Sequence, residues 1–119
     1  MSYTVKETRI FLHPAADLLA HAGALVGELG GKRPRKPPGD GAVHAEFNKA
    51  VGREVFGNRV QLIVRAADDG AGRGALSLEA YPVDPVGRPL AFGVIGDPAR
   101  LVADAFWARL ATRLAPAAT

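Results

Sequence analysis

Between Val43 and Tyr81 the chain alternates apolar and polar residues in three successive runs. Val43, Ala45, Phe47 and Val51 interleave with His44, Glu46, Asn48 and Ala50. Val60, Leu62, Val64 and Ala66 interleave with Arg59, Gln61, Ile63 and Arg65, and Leu76, Leu78 and Ala80 with Ser77, Glu79 and Tyr81. A period of two places alternate side chains on opposite faces of a strand, so each run reads as a strand with one buried and one wet face. Gly57-Asn58 and the segment Asp68–Gly74 are turn signals between the runs, and Asp84-Pro85-Val86-Gly87 follows the third. Strands joined by such turns make an antiparallel meander. Leu90–Ile95 reads as one more, shorter strand. The inner face is expected to hold Val43, Phe47, Val60, Leu62, Val64, Leu76, Leu78 and Phe92.

Helices are expected on either side of this region. Pro14 suits the first turn of a helix, because its missing N–H costs nothing there. Leu18, Ala22, Leu25, Val26 and Leu29 then follow at helical spacing, and Gly30-Gly31 ends the run. Gly23 and Gly27 weaken this helix and suggest a closely approaching sheet. Asp97-Pro98 is a second helix start, an N-cap acceptor before proline. Leu101, Val102, Ala105, Phe106, Leu110 and Leu114 form its apolar stripe, with Trp107 beside it. Residues 3–12, rich in β-branched and aromatic side chains, read as a strand ahead of the first helix. The expected fold is α+β: a single antiparallel sheet of four to five strands with two helices on one face, in the order β-α-β-β-β-(β)-α. One domain is expected over residues 1–119, with a frayed tail at 115–119.

This element order, with Gly57-Asn58-Arg59 and Tyr81-Pro82-Val83-Asp84-Pro85 as turn landmarks, resembles small bacterial proteins of TATA-binding-protein-like or START-like layout. The resemblance covers most of residues 3–114. It implies a sheet covered by helices and assigns no residue a role.

Composition narrows the function. There is no cysteine, which excludes disulfides, thiolate nucleophiles and cysteine-ligated metals. No apolar run approaches the roughly 18 residues of a membrane span, and Met1–Glu7 holds no apolar signal core, so a cytoplasmic protein without membrane contact is expected. Of 15 Lys and Arg, four lie in Lys32-Arg33-Pro34-Arg35-Lys36, while the remaining 114 residues carry 11 positive and 12 negative charges. The protein is thus a near-neutral body with one basic segment, set in an exposed Pro/Gly-rich loop over residues 30–41.

Three kinds of activity follow from these residues. The polar sheet face, with Ile63, Tyr81 and Ile95, suits self-association, so a homodimeric, non-enzymatic interaction module is the first expectation. Lys32, Arg33, Arg35 and Lys36, joined by Arg59 and Arg65, suit phosphates of a nucleic acid or a phosphorylated ligand. His44 and Glu46 share a strand face and offer an acid–base or metal pair, with Glu79 as a neighbour. His13, Asp17 and His21 are spaced by four but begin ahead of Pro14, where the geometry is not helical. No P-loop, nucleophile elbow or dinucleotide fingerprint is present, and no catalytic residue, metal or cofactor is expected.

Overall fold

The period-two runs become three long strands. In the computed structural model, which describes residues 3–115, these are β2 (Val43–Val51), β3 (Glu54–Asp68) and β4 (Gly74–Val83). A first strand, β1 (Val5–Phe11), precedes helix α1 (Ala15–Glu28), and helix α2 (Pro98–Leu114) closes the chain. The sheet is antiparallel and ordered β1-β4-β3-β2, so β1 and β2 are its edges. The layout is α+β, in the order β-α-β-β-β-α. Of the tail expected at 115–119, residues 116–119 lie outside the described residues. Among the described residues no helix is long and apolar enough to cross a membrane.

The register explains the two faces. Val43 stands opposite Val64, and Leu62 opposite Ala80, so the apolar members of the three strands meet on one side. They form one buried cluster with Leu18, Ala22, Leu25 and Val26 of α1 and Val102, Phe106 and Leu110 of α2. Ile63, Arg65, Ser77, Glu79 and Tyr81 are left on the outer face, as the alternation predicts.

Five expectations are corrected. The β2–β3 turn is at Gly52-Arg53, between paired Val51 and Glu54, not at Gly57-Asn58. Gly52 sits at φ 58°, a left-handed value that glycine reaches without a Cβ clash. Gly57 and Asn58 instead belong to a bulge. Asn48 pairs with Arg59 and Ala50 with Val55, so three β3 residues face the single residue Lys49. Leu90–Ile95 forms no strand. β1 takes that side of β4 from Gly74 to Ala80, which leaves only its last residues open, and there the segment keeps just the bridge Val83–Pro89 and the bond from Leu90 N–H to the Pro82 carbonyl. Phe92 therefore leaves the core and is 81% exposed. In α2, Leu101 is 37% exposed whereas Trp107 is buried at 4%. Gly23 faces a loop arginine, Arg33, and not the sheet.

Trp107 is buried because β1 needs a lid. The inner face of that edge strand carries Glu7 and Arg9 as well as Val5 and Phe11. Trp107 Nε1 donates to Glu7 Oε1 at 2.9 Å, and the Arg9 guanidinium lies 4.5 Å from the indole centroid. Arg100 adds two contacts to the Glu7 carboxylate at 3.2 Å. The Trp107 bond, followed by Arg100, holds the Glu7 pKa below its ordinary value of 4.5 against the opposing effect of burial. A depressed carboxylate pKa contributes stability that is present above the unfolded value and lost as pH falls through the folded one. Glu7→Gln is expected to cost about 2 kcal/mol at pH 7, the typical worth of a charged hydrogen bond. Urea midpoints of wild type and variant should converge as pH is lowered from 5 to 3. A gap that stays constant with pH would mean Glu7 acts through packing alone.

Candidate anion-binding site

The end of α1 sets the path of the basic loop. Gly30 takes φ 89°, and the Gly30 and Gly31 amides donate to the Gly27 and Val26 carbonyls at 3.1 and 2.8 Å. A Cβ on Gly31 would stand 2.8 Å from the Phe47 ring, so only glycine lets the chain pass over this buried side chain. The next residue then reaches the outer edge of β2. Lys32 N–H donates to the Glu46 carbonyl, and Glu46 N–H donates to the Lys32 carbonyl, both at 2.9 Å. This is an antiparallel bridge outside the named strands.

Pairing fixes side-chain direction. Directly opposed residues in an antiparallel pair point to the same face. Lys32 therefore shares the outer face with Glu46, and Arg33 points the other way. Arg33 Nη1 accordingly lies 3.3 Å from where a Cβ on Gly23 of α1 would stand. Lys32, Arg33, Pro34, Glu46, Asn48, Arg59 and Gln61 line a hollow of about 270 Å³.

Its charges do not cancel. The carboxylate Glu46 pairs with Arg59 at 3.5 Å, both side chains being more than a third exposed. Lys32 has no carboxylate partner among the described residues. The Asn48 amide also has no partner there. Two cationic side chains, Lys32 and Arg59, thus line the hollow with one carboxylate, which pairs with Arg59 alone, and with the amides of Asn48 and Gln61.

The other expected contacts lie apart. Arg65 is six residues from Arg59 along β3, about 20 Å at strand rise. It donates to Asp40 at 3.3 Å, where the loop returns to the sheet. The Asp40 carboxylate also accepts from Ala42 N–H at 3.0 Å and His44 Nε2 at 2.9 Å. These bonds, the Ala42 one foremost, lower the Asp40 pKa. Arg35 and Lys36 are exposed on the loop beyond the hollow. Hence the structure brings Lys32 and Arg59 together, turns the Arg33 guanidinium toward α1, and separates all three from Arg35, Lys36 and Arg65.

The residues read for self-association divide likewise. Ile63 and Tyr81 lie on the central outer face, and burial, with the nearby Glu79 charge, raises the Tyr81 pKa. Ile95 lies beside Gly57, at the far end of β3. His44 and Glu46 share a face but turn to different partners, Asp40 and Arg59. Among the described residues no three His, Asp or Glu side chains are grouped to hold a metal ion. His21 accepts from Arg113 Nε at 3.1 Å.

The sequence offers Asn48 and Gln61 as members of an outer-face platform, without joining them to the basic loop. The signal for them was their place on the wet face, two residues from Glu46 and Arg59 respectively. No family model matches the chain, and no curated protein or solved structure matches it.

Proposed function

We propose that this protein is a non-enzymatic binding module that takes a small phosphate-bearing ligand at the hollow between the basic loop and the outer sheet face. The observation that carries this reading is the Lys32–Glu46 bridge. It delivers an unpaired ammonium group to the face where Arg59 already stands. A lysine point charge beside a guanidinium fork is a pairing suited to phosphate oxygens.

A small ligand fits better than a nucleic acid, which needs a row of phosphate contacts. Here the nearest further outer-face arginine, Arg65, is distant and engaged with Asp40. Self-association over Ile63 and Tyr81 has less to rest on. That region carries the internal pairs Lys6–Glu79 and Arg65–Asp40, which a second copy would have to desolvate.

Calorimetric titration with inorganic pyrophosphate tests the reading. Binding is expected at 50 mM salt, weakening at 200 mM, and falling at least tenfold in Arg59→Gln and in Lys32→Gln. An Arg35→Gln/Lys36→Gln double variant should bind like the wild type. Equal losses in all these variants, or an oligonucleotide duplex bound more tightly than pyrophosphate, would overturn it.

A further inference from the structure

The phosphate hollow adjoins a larger groove. Asn48 and Arg59 line both, so the two spaces are neighbours across these side chains. The groove measures about 700 Å³ and runs across the end of the outer face, beneath the segment that follows β4. Its chemistry differs from that of the hollow. Val83, Pro85, Leu90 and Phe92 supply its apolar lining, and Lys49 and Asn58 belong to its polar lining.

Phe92 is the informative residue. Phe47 and Phe106 are fully buried, and Phe11 and Phe56 pack against the core, yet Phe92 stands open to solvent. Its segment is nevertheless tied down on both sides. Leu90 N–H donates to the Pro82 carbonyl at 3.0 Å, and Ile95 N–H donates to Asn58 Oδ1 at 3.4 Å. The preceding turn is closed by Asp84, whose Oδ1 accepts from Val86 N–H and Arg88 N–H at 2.9 Å. A large ring is thus displayed on an anchored segment.

Lys49 is the second. It adopts φ 62°, a left-handed conformation that costs a non-glycine residue energy, at the β2 side of the bulge. A bulge re-aims a side chain, and this one belongs to the groove wall next to Asn48. Lys49 has no carboxylate partner among the described residues.

We infer that the phosphate-bearing ligand is a nucleotide, its phosphates at Lys32 and Arg59 and its base against Phe92. This rests on the phosphate reading above. A ligand with charge at one end and a flat, weakly polar ring at the other matches the sequence of surfaces from hollow to groove. The exposed ring supplies a stacking face. Lys49, in the groove wall, adds a positive charge there. The amide nitrogen of Asn58, whose oxygen is already committed to Ile95, remains to donate to a ring acceptor.

The test compares pyrophosphate, a set of purine and pyrimidine nucleoside diphosphates, and octyl phosphate, titrated into wild type and Phe92→Ala. Because Phe92 is exposed, this variant is expected to fold, and circular dichroism verifies it. At least one nucleoside diphosphate should bind about tenfold more tightly than pyrophosphate, the gain expected of one stacked base. Phe92→Ala should remove that gain and leave pyrophosphate binding unchanged. If pyrophosphate binds and no nucleotide binds more tightly, the nucleotide inference fails and the phosphate hollow stands. If octyl phosphate matches the best nucleotide and is equally sensitive to Phe92→Ala, the groove takes an alkyl chain instead. If neither pyrophosphate nor any nucleotide binds, both readings fall.

Discussion

Phe47→Ala is expected to destabilise the protein by about 3–5 kcal/mol, the range for truncating a fully buried phenylalanine. The ring is 0% exposed and lies under Gly31, where the chain leaves α1 for the edge of β2. Its removal leaves a void that Val26, Gly31 and the neighbouring strands fill only in part. Small domains are stable by roughly 5–15 kcal/mol in total, so a large share of the margin is lost. Thermal unfolding followed by circular dichroism should show a midpoint lower by on the order of 15 °C. Phe92→Ala, which opens no cavity, should stay within about 0.5 kcal/mol of wild type. The contrast has a functional side. Phe47 supports the crossing at Gly31, and the next residue is Lys32. Pyrophosphate binding should therefore weaken in Phe47→Ala even where the variant remains folded. A midpoint unchanged by Phe47→Ala would show that the α1-to-β2 crossing is not packed as described.

Two glycine-to-alanine changes are expected to act in opposite directions. At Gly74 a Cβ would stand 2.7 Å from the His13 carbonyl oxygen, 2.8 Å from Leu18 Cδ1 and 3.0 Å from the Ala15 nitrogen. Two of these atoms are backbone, in a connection fixed by Ala15 N–H donating to Asp68 Oδ1 at 3.0 Å. The third, Leu18 Cδ1, belongs to a fully buried side chain, so Gly74→Ala should cost about 1–3 kcal/mol. At Gly27, on the exposed side of α1, nothing lies within 4 Å of the added Cβ. Gly27→Ala should stabilise by about 0.5–1 kcal/mol through helix propensity. Urea midpoints at equal slope report both. Shifts of the same sign would refute the packing assigned to Gly74.

The α+β layout was legible because its cause is local. Strict alternation in β2, β3 and β4 marks which side chains turn inward, and the stripe from Leu18 to Leu29 marks the buried side of α1. What escaped depends on who pairs with whom. Leu90–Ile95 has the composition of a strand, but β1 occupies that side of β4 as far as Ala80, a fact set more than 70 residues upstream at Val5. Trp107 sits off the obvious stripe of α2 and is buried only because β1 carries Glu7 and Arg9 inward. The basic segment was visible as a cluster. Its division into Lys32 on the outer face and Arg33 against α1 follows from a single long-range bridge to Glu46. Lys49 left one trace in the sequence: the alternation of β2 slips after Asn48, which is where the bulge lies.

The Lys32–Glu46 bridge also bears on how the protein behaves in a crowd. An edge strand offers a row of unused amides and carbonyls to any extended chain that arrives. In β2 the middle of that row is occupied from within, by the same segment that shapes the phosphate hollow. The Pro34, Pro37 and Pro38 that follow cannot donate to an incoming strand. Loop and edge therefore protect one another. Conditions that peel residues 30–41 away would both dismantle the hollow and uncover a template for strand-by-strand accretion, making loss of binding and onset of aggregation two signs of one event.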